Sequence, residues 1–530
     1  MNAAQVMNLA QLLRQTARQF PDLPGLIHGD THLTWRQLDE RVDALVAALR
    51  QKGLQQGDRI LVQSRNNLAL FESCWVAFRM GCVWVPTNFR LTPPEVAYLG
   101  KSSGAVAMLA EPDFAEHVQA VSAASDSLTH VVWIGESAAD GMTGDVYEDL
   151  VSRHLGQQAD ESVVGADDPL WFFYTSGTTG APKAGILTHG QMAFVVTNHL
   201  ADLIPGTTEK DCSIAVAPLS HGAGIHMLLN VARGAATVLP ESDRLVPEEV
   251  WRLVEKHKVS NLFTVPTIVK RLVEDSSVDQ FDHSSLRYLI YAGAPMYRSD
   301  QKFALEKLGK VLVQYFGLGE VTGCITVLNR ESHSADDDDP DANVGSCGRP
   351  RTGMEVGILD EQLQRLPVGE VGEICCRGPA VFAGYHANDE ATAKALRGGW
   401  FHTGDLGRID ERGFLTITGR ESDMYISGGS NVYPREVEEV LLSHSEVAEV
   451  AVLGVPDQKW GEVGLAVVVP RNPAEPPAAH QLLAHLEGRC ARYRWPASFV
   501  IWPALPKSGY GKVTKKIIRE QLIERGELSV

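Results

Sequence analysis

Tyr174-Thr-Ser-Gly-Thr-Thr-Gly-Ala-Pro-Lys-Ala-Gly185 is the stretch on which the reading of this chain turns. Leu170-Trp-Phe-Phe173, directly before it, is a short apolar run of the kind that makes a buried strand. Thr175, Ser176, Thr178 and Thr179 then alternate with Gly177 and Gly180, and Lys183 closes the loop. Glycines let backbone approach a ligand closely, hydroxyls and amides donate hydrogen bonds, and a lysine adds a positive point charge. Those are the requirements of an anion, above all a polyphosphate. The order is not that of a nucleotide-hydrolase loop, which sets Gly-Lys-Ser/Thr directly before a helix. A lone loop of this composition is commonly a polar surface turn, so the rest of the chain decides.

Composition narrows the choice. At 530 residues the chain exceeds one ordinary core and should form two or more domains. A net charge of −18 argues against nucleic acid or an anionic membrane as the main partner. The apolar run 75–86 is interrupted by Arg79 and is too short to span a bilayer. The eight cysteines show no metal-ligand spacing, and the first 19 residues do not read as a signal peptide. Reduced, mostly buried thiols in a cytoplasmic protein are therefore expected.

Strands and helices alternate along residues 1–170, which argues for a parallel α/β sheet. Leu38, Val42, Leu45, Val46 and Leu49 give 35–51 helical spacing, and 69–80 reads as a second, apolar helix. Strands are expected at 57–62 and 82–86, and Thr92-Pro93 starts a further helix. Beyond the loop, a strand ending in Pro218 is expected to deliver His221 and Gly222 into a turn. Asn261–Pro266 and Tyr288–Pro295 read as consecutive core strands, each ending in small or kinking residues. Such strand ends are where open α/β sheets bind ligands. The run Asp336–Asp339 should repel itself and stay solvated in a mobile surface loop. Residues 424–530 alternate as a compact α+β unit, with Pro434 at a helix start, strands near 447–455, 465–469 and 498–502, and helices at 479–493 and 513–526.

Several of these segments, taken in order, resemble one family. The glycine-hydroxyl loop is similar to the phosphate-binding loop of the adenylate-forming enzymes, and Gly293-Ala294-Pro295 to their strand-end turn beside the nucleotide. Tyr315-Phe-Gly-Leu-Gly-Glu320 resembles their Tyr-Gly-x-Thr-Glu motif, and Trp400–Gly407 is a specific match around Thr403-Gly404-Asp405. Gly419-Arg-Glu-Ser-Asp423 looks like the domain boundary, and Leu505–Lys515 like the family's lysine loop.

What the resemblance implies is an acyl-CoA synthetase of two domains. Residues 1–419 would form a large domain of packed, mostly parallel sheets with helices and a small β-rich part. Residues 420–423 would be a hinge, and 424–530 a small mobile C-terminal domain. ATP would sit on the loop, on Gly293–Pro295 and on Tyr315, Phe316 and Gly317, with the Phe316 ring against adenine. Asp405, presented by a tight turn at Gly404, would hold the ribose hydroxyls, and Arg420 ribose and phosphate. Mg²⁺ would be held by Glu320 and Thr175. Lys183 and Lys512 would be the catalytic lysines. His221, Gly222 and Val265 would line the acid pocket, and Gly429 would face the channel for coenzyme A. A homodimer is a family-level expectation. Three departures stand out: Ser220 where an aromatic is usual, Ser422 at the hinge, and Gly319 where threonine is usual, which should leave room for a water. The acid is expected to be apolar and aliphatic, of fatty-acid type. The alternatives are an aryl acid, or transfer of the acyl group to a carrier protein. A phosphate-loop ATPase and a non-catalytic binding protein are the readings from other classes.

Overall fold

The computed structural model describes residues 5–175, 181–294, 296–339, 342–507 and 513–528. Two large sheets carry the first part of the chain. One has seven strands in the order 183–188, 169–175, 83–86, 59–63, 107–110, 130–133 and 145–146, parallel except for the antiparallel pair 169–175/183–188 at one edge. The other has nine strands, with a parallel centre from 312–316 through 288–291, 261–264, 212–214 and 236–239 to 24–28, and antiparallel strands at both ends.

Helix Leu68–Met80 buries twelve of its side chains, from Ala69 to Met80. An all-round apolar helix must be covered on every side, and it lies in the main core with Trp84 and Trp171. Arg79 within it is fully buried, and Asp43, 2.7 Å away, together with Asp39 compensates its charge. Trp35–Gln51 forms as expected, started by a reciprocal Thr34/Gln37 capping box. Thr92 and Glu95 make a second box ahead of helix Pro93–Ser103.

A four-stranded antiparallel sheet follows (355–359, 372–377, 401–409, 415–420). The C-terminal part is a five-stranded mixed sheet (425–427, 430–432, 447–457, 461–470, 498–501) with its own two apolar clusters. Among the described residues no helix is long and apolar enough to cross a membrane. All eight cysteines are free, and all but the half-buried Cys490 are buried.

Four expectations are corrected. The strand before His221 ends at Ile214, so Ala215–Pro218 is irregular, and His221 is the N-cap of helix Gly222–Ala232. Helix 479–493 stops at Leu486, and the last helix is Lys515–Glu524. Arg349–Pro350, part of a stretch (345–350) that in sequence resembles the family's small β-rich part, joins the edge of the nine-stranded sheet instead. The acidic run is exposed at Asp336, Asp337 and Asp338, as expected, with Asp337 paired to Arg298 at 2.8 Å and to Lys302. Asp405 is not on a tight turn: it lies inside strand Phe401–Ile409 at an irregularity, where Ile374 alone stands opposite Thr403–Asp405. Gly404 has φ +70° there, the left-handed conformation that glycine accepts without strain.

Candidate active site

A cleft runs between the loop ends of the large sheets and the C-terminal unit. At one end of it, strand Pro169–Thr175 runs out into the glycine-hydroxyl loop, and Lys183 opens the return strand opposite Thr175. Ser176, Gly177, Thr178, Thr179 and Gly180 lie outside the described residues, as do Pro295 and Lys512.

Glu320 sits in a short helical turn, Gly319–Val321, after strand Leu312–Phe316. Its side chain is buried, and Oε1 accepts hydrogen bonds from Thr175 Oγ1 (3.1 Å) and Tyr385 Oη (2.8 Å). Burial, and then the charge of Glu320, push the Tyr385 phenol well above its ordinary range, so it remains a donor. Lys183 Nζ stands 5.3 Å from the centre of the Tyr385 ring. Among the described residues Glu320 has no ion pair. A buried carboxylate that meets only hydroxyls is a hard-oxygen donor set short of a cation, and it suits magnesium.

Tyr385 was missed from sequence: a single Gly-Tyr pair far from the other motifs carries no signal. Phe173 was missed as well. Its ring lies 5.5 Å from Trp171 and 5.4 Å, edge-on, from His221. It fills the room expected beside Gly319: a Cβ added there would fall 2.7 Å from the Phe173 ring and 2.9 Å from Thr175 Cγ2. The glycine is matched to a phenylalanine, not to a water.

Strand alternation separates Tyr315 from Phe316. Tyr315 turns inward and stacks on Phe263 (5.7 Å, 14° between planes), while Phe316 is half-buried on the cleft wall. Gly317 is forced by a close approach, since a Cβ would meet Gly323 Cα at 2.4 Å. Gly293 (φ +82°) and Ala294 follow strand Tyr288–Tyr291 and line the cleft.

Asp405 and Arg420 are cross-strand partners, with Nε 3.1 Å from Oδ1. The bulge under Asp405 is held from behind. Thr403 Oγ1 donates to the Ile374 carbonyl, and the Gly404 amide donates to Glu373. Glu373 also meets His402 Nδ1 at 2.7 Å and Arg397 at 2.8 Å. Cys375 Sγ is 3.3 Å from the same His402 nitrogen. This group is the strut of the bulge, already ion-paired by Arg397.

Toward the other end, His221 takes a 3.0 Å hydrogen bond between its Nδ1 and Ser220 Oγ. Gly222 permits close contact with Phe263, because a Cβ there would lie 2.6 Å from that ring. Val265, N-cap of helix Pro266–Glu274, lines the same wall. The C-terminal unit closes the far side. Lys507 and Val513, which flank the segment carrying Lys512, are bridged to each other and line the cleft. Gly429 is not brought to the cleft. With Gly428 it forms a two-residue hairpin turn, φ +56° and +82°, between strands 425–427 and 430–432. Such turns need positive φ at both central positions.

The family model described as AMP-binding enzyme matches residues 13–386, and the one described as AMP-binding enzyme C-terminal domain matches 436–512. The chain is 36% identical to a feruloyl-CoA synthase of Amycolatopsis sp over 507 residues, covering 95% of this chain and 97% of that one. It is 31% identical to the long-chain-fatty-acid–CoA ligase FadD13 of Mycobacterium tuberculosis, covering 97% and 98%. Among solved structures, the o-succinylbenzoate CoA synthetase MenE of Bacillus subtilis with its acyl-adenylate intermediate superposes with a TM-score of 0.84 at 27% identity, covering 97% and 98%. A cleft lined by Glu320, Asp405 and His221, and likeness along nearly the full length, lead to one assignment: the chain belongs to the AMP-binding, adenylate-forming family of enzymes.

Proposed function

We propose that this chain is an AMP-forming acid–CoA ligase whose acid carries an aryl group. In the first half-reaction a carboxylate oxygen bonds to the α-phosphorus of ATP, and the bond to the β-phosphate oxygen breaks, releasing pyrophosphate. In the second, the thiol sulfur of coenzyme A bonds to the acyl carbon, and AMP leaves with the electron pair of the broken C–O bond. The observation that carries this reading is the Thr175–Glu320–Tyr385 cluster beside Lys183, opening onto the cleft that also holds Asp405 and the rings around His221.

The first step brings two anions together, so its barrier is largely electrostatic. Lys183 offers positive charge at the phosphate end, and Lys512 adds a second in this assignment. Glu320 and Thr175 would hold magnesium, whose chemistry is to neutralise phosphate charge. Tyr385 fixes the Glu320 carboxylate, and Asp405 with Arg420 orients the ribose. Residues 420–423 serve as the hinge that lets one site run two steps.

The aryl reading rests on the acid end of the cleft, which Phe173, His221, Phe263 and Tyr315 line as two ring pairs. Aromatic walls favour a flat ring in offset or edge contact. The feruloyl and o-succinylbenzoate relatives point the same way. Leu245, Val246, Val265 and Ile268 on the outer wall favour the second reading, an aliphatic chain. The test is acid-dependent pyrophosphate release, followed by AMP release on adding coenzyme A, across matched aryl and aliphatic acids. Pyrophosphate release without any need for an acid, or no AMP release with coenzyme A, overturns the assignment.

A further inference from the structure

Behind the acid end lies a cavity of about 10 Å³, walled by Leu219, Ala223, His226, Thr237 and Phe263 among others. Ala215, Ala223 and Phe263 stand in its wall and in that of the main cleft, so the two spaces adjoin. A space of that size holds one oxygen-sized group.

Its polar lining is incomplete. His226 is on the helix that begins at His221 and Gly222, and is buried. Asn230 Nδ2 donates to the His226 carbonyl (2.9 Å), and Asn261 Nδ2 donates to Asn230 Oδ1 (3.1 Å). That orientation makes Asn261 Oδ1 an acceptor, and it lies 2.7 Å from His226 Nε2. Nε2 therefore carries the proton, and Nδ1 keeps a bare lone pair. Burial lowers the imidazole to about 4, so it is neutral near pH 7. Among the described residues His226 Nδ1 has no hydrogen-bond partner, and neither has Thr237 Oγ1 on the adjoining strand 236–239. Buried polar atoms are almost always satisfied, so two at one small cavity point to an occupant.

We propose that this cavity is the far end of the acid subsite and takes a hydroxyl on the distal side of the aryl ring, which donates to His226 Nδ1 and accepts from Thr237 Oγ1. The inference rests on the aryl reading above and narrows it to hydroxylated aryl acids. An apolar ring edge in that place leaves both atoms without partners, and sites built to bind a hydroxyl reject the analogue lacking it.

The experiment compares 3-phenylpropenoic acid with its 4-hydroxy derivative by acid-dependent pyrophosphate release. The protein is used unaltered and as Thr237→Val and His226→Leu. The unaltered protein should favour the hydroxylated acid by about tenfold or more in kcat/KM. Thr237→Val matches threonine in shape, so it keeps the fold while removing the oxygen. The preference should then fall toward parity through lost rate on the hydroxylated acid, with an unchanged melting curve. No preference in the unaltered protein, or one that survives both substitutions, overturns the inference and leaves the cavity to a single water. Turnover of aliphatic acids with neither aryl acid accepted is a different pattern: it removes the aryl reading, and this inference with it.

Discussion

Gly319→Thr restores the residue usual at this place in the Tyr-Gly-x-Thr-Glu motif and should nonetheless damage this enzyme. A Cβ at 319 would lie 2.7 Å from Phe173 Cδ1, 2.8 Å from Cε1 and 2.9 Å from Thr175 Cγ2. The backbone accepts a side chain there, so the conflict is purely steric. The Phe173 ring has little freedom to yield, with Trp171 and His221 both within 5.5 Å of its centre. Relief must come either from the ring moving toward the acid end or from the Glu320 turn moving outward. The second route opens the 3.1 Å contact from Thr175 to Glu320. Overpacking of this kind costs about 1–3 kcal/mol. Expressed in the barrier, that is roughly a 5- to 150-fold loss of rate. The assay is acid-dependent pyrophosphate release for Gly319→Thr, Phe173→Ala and the double variant, with melting curves alongside. If the ring is the obstacle, the double variant recovers part of the loss, with a coupling of roughly 1–2 kcal/mol. Effects that add to within about 0.5 kcal/mol would refute the pairing of glycine with phenylalanine.

Lys512→Ala should cut adenylation by roughly a hundred- to a thousandfold and spare thioester formation from supplied acyl-AMP, because only the first step joins two anions. Equal loss in both half-reactions sinks that role. Tyr385→Phe removes the 2.8 Å bond to Glu320, an interaction with a charged group worth about 1.5–3 kcal/mol, and should raise the magnesium needed for half-maximal rate. An unchanged magnesium dependence contradicts the positioning role. Asp405→Ala should weaken ATP binding by about 1.5–3 kcal/mol per ribose hydrogen bond at most, and an unchanged apparent affinity would make this aspartate a strand residue only. Gly429→Ala and Gly429→Leu share the strain of φ +82°, but only leucine adds bulk. If the hinge at 420–423 carries this hairpin to the coenzyme A channel for the second step, adenylation should survive in both while thioester formation collapses in the leucine variant alone, and parallel losses in the two variants would leave only the hairpin role.

Much of the fold was legible because its signals are local. Helix Trp35–Gln51 carries both its spacing and its capping box within one stretch, and Leu68–Met80 announces its burial by being apolar along most of its length. Asp405 and Glu320 were found because each sits in a motif only a few residues long. The features that escaped are those that depend on contacts across the chain. Tyr385 is recognisable only by its hydroxyl reaching Glu320, and Phe173 only by its ring occupying the space beside Gly319. The bulge at Asp405 was read as a turn because Gly404 signals positive φ without saying whether the strand continues through it. The end of the strand at Ile214 was misplaced because Ala215–Pro218 stays apolar beyond the last ladder bond.

The Thr175–Glu320 contact joins residues 145 positions apart, one ending a strand of the seven-stranded sheet and the other in the turn after a strand of the nine-stranded sheet. Ribosomes add about 5–20 residues per second, so the hydroxyl strand waits roughly 7–30 s before its carboxylate exists. Asp405 arrives later still, on a third sheet. A chain released early, or cut between these segments, holds phosphate-binding residues without the carboxylates that this assignment gives to metal and ribose. Stalled translation of this enzyme should therefore yield fragments that leave the cell's ATP untouched.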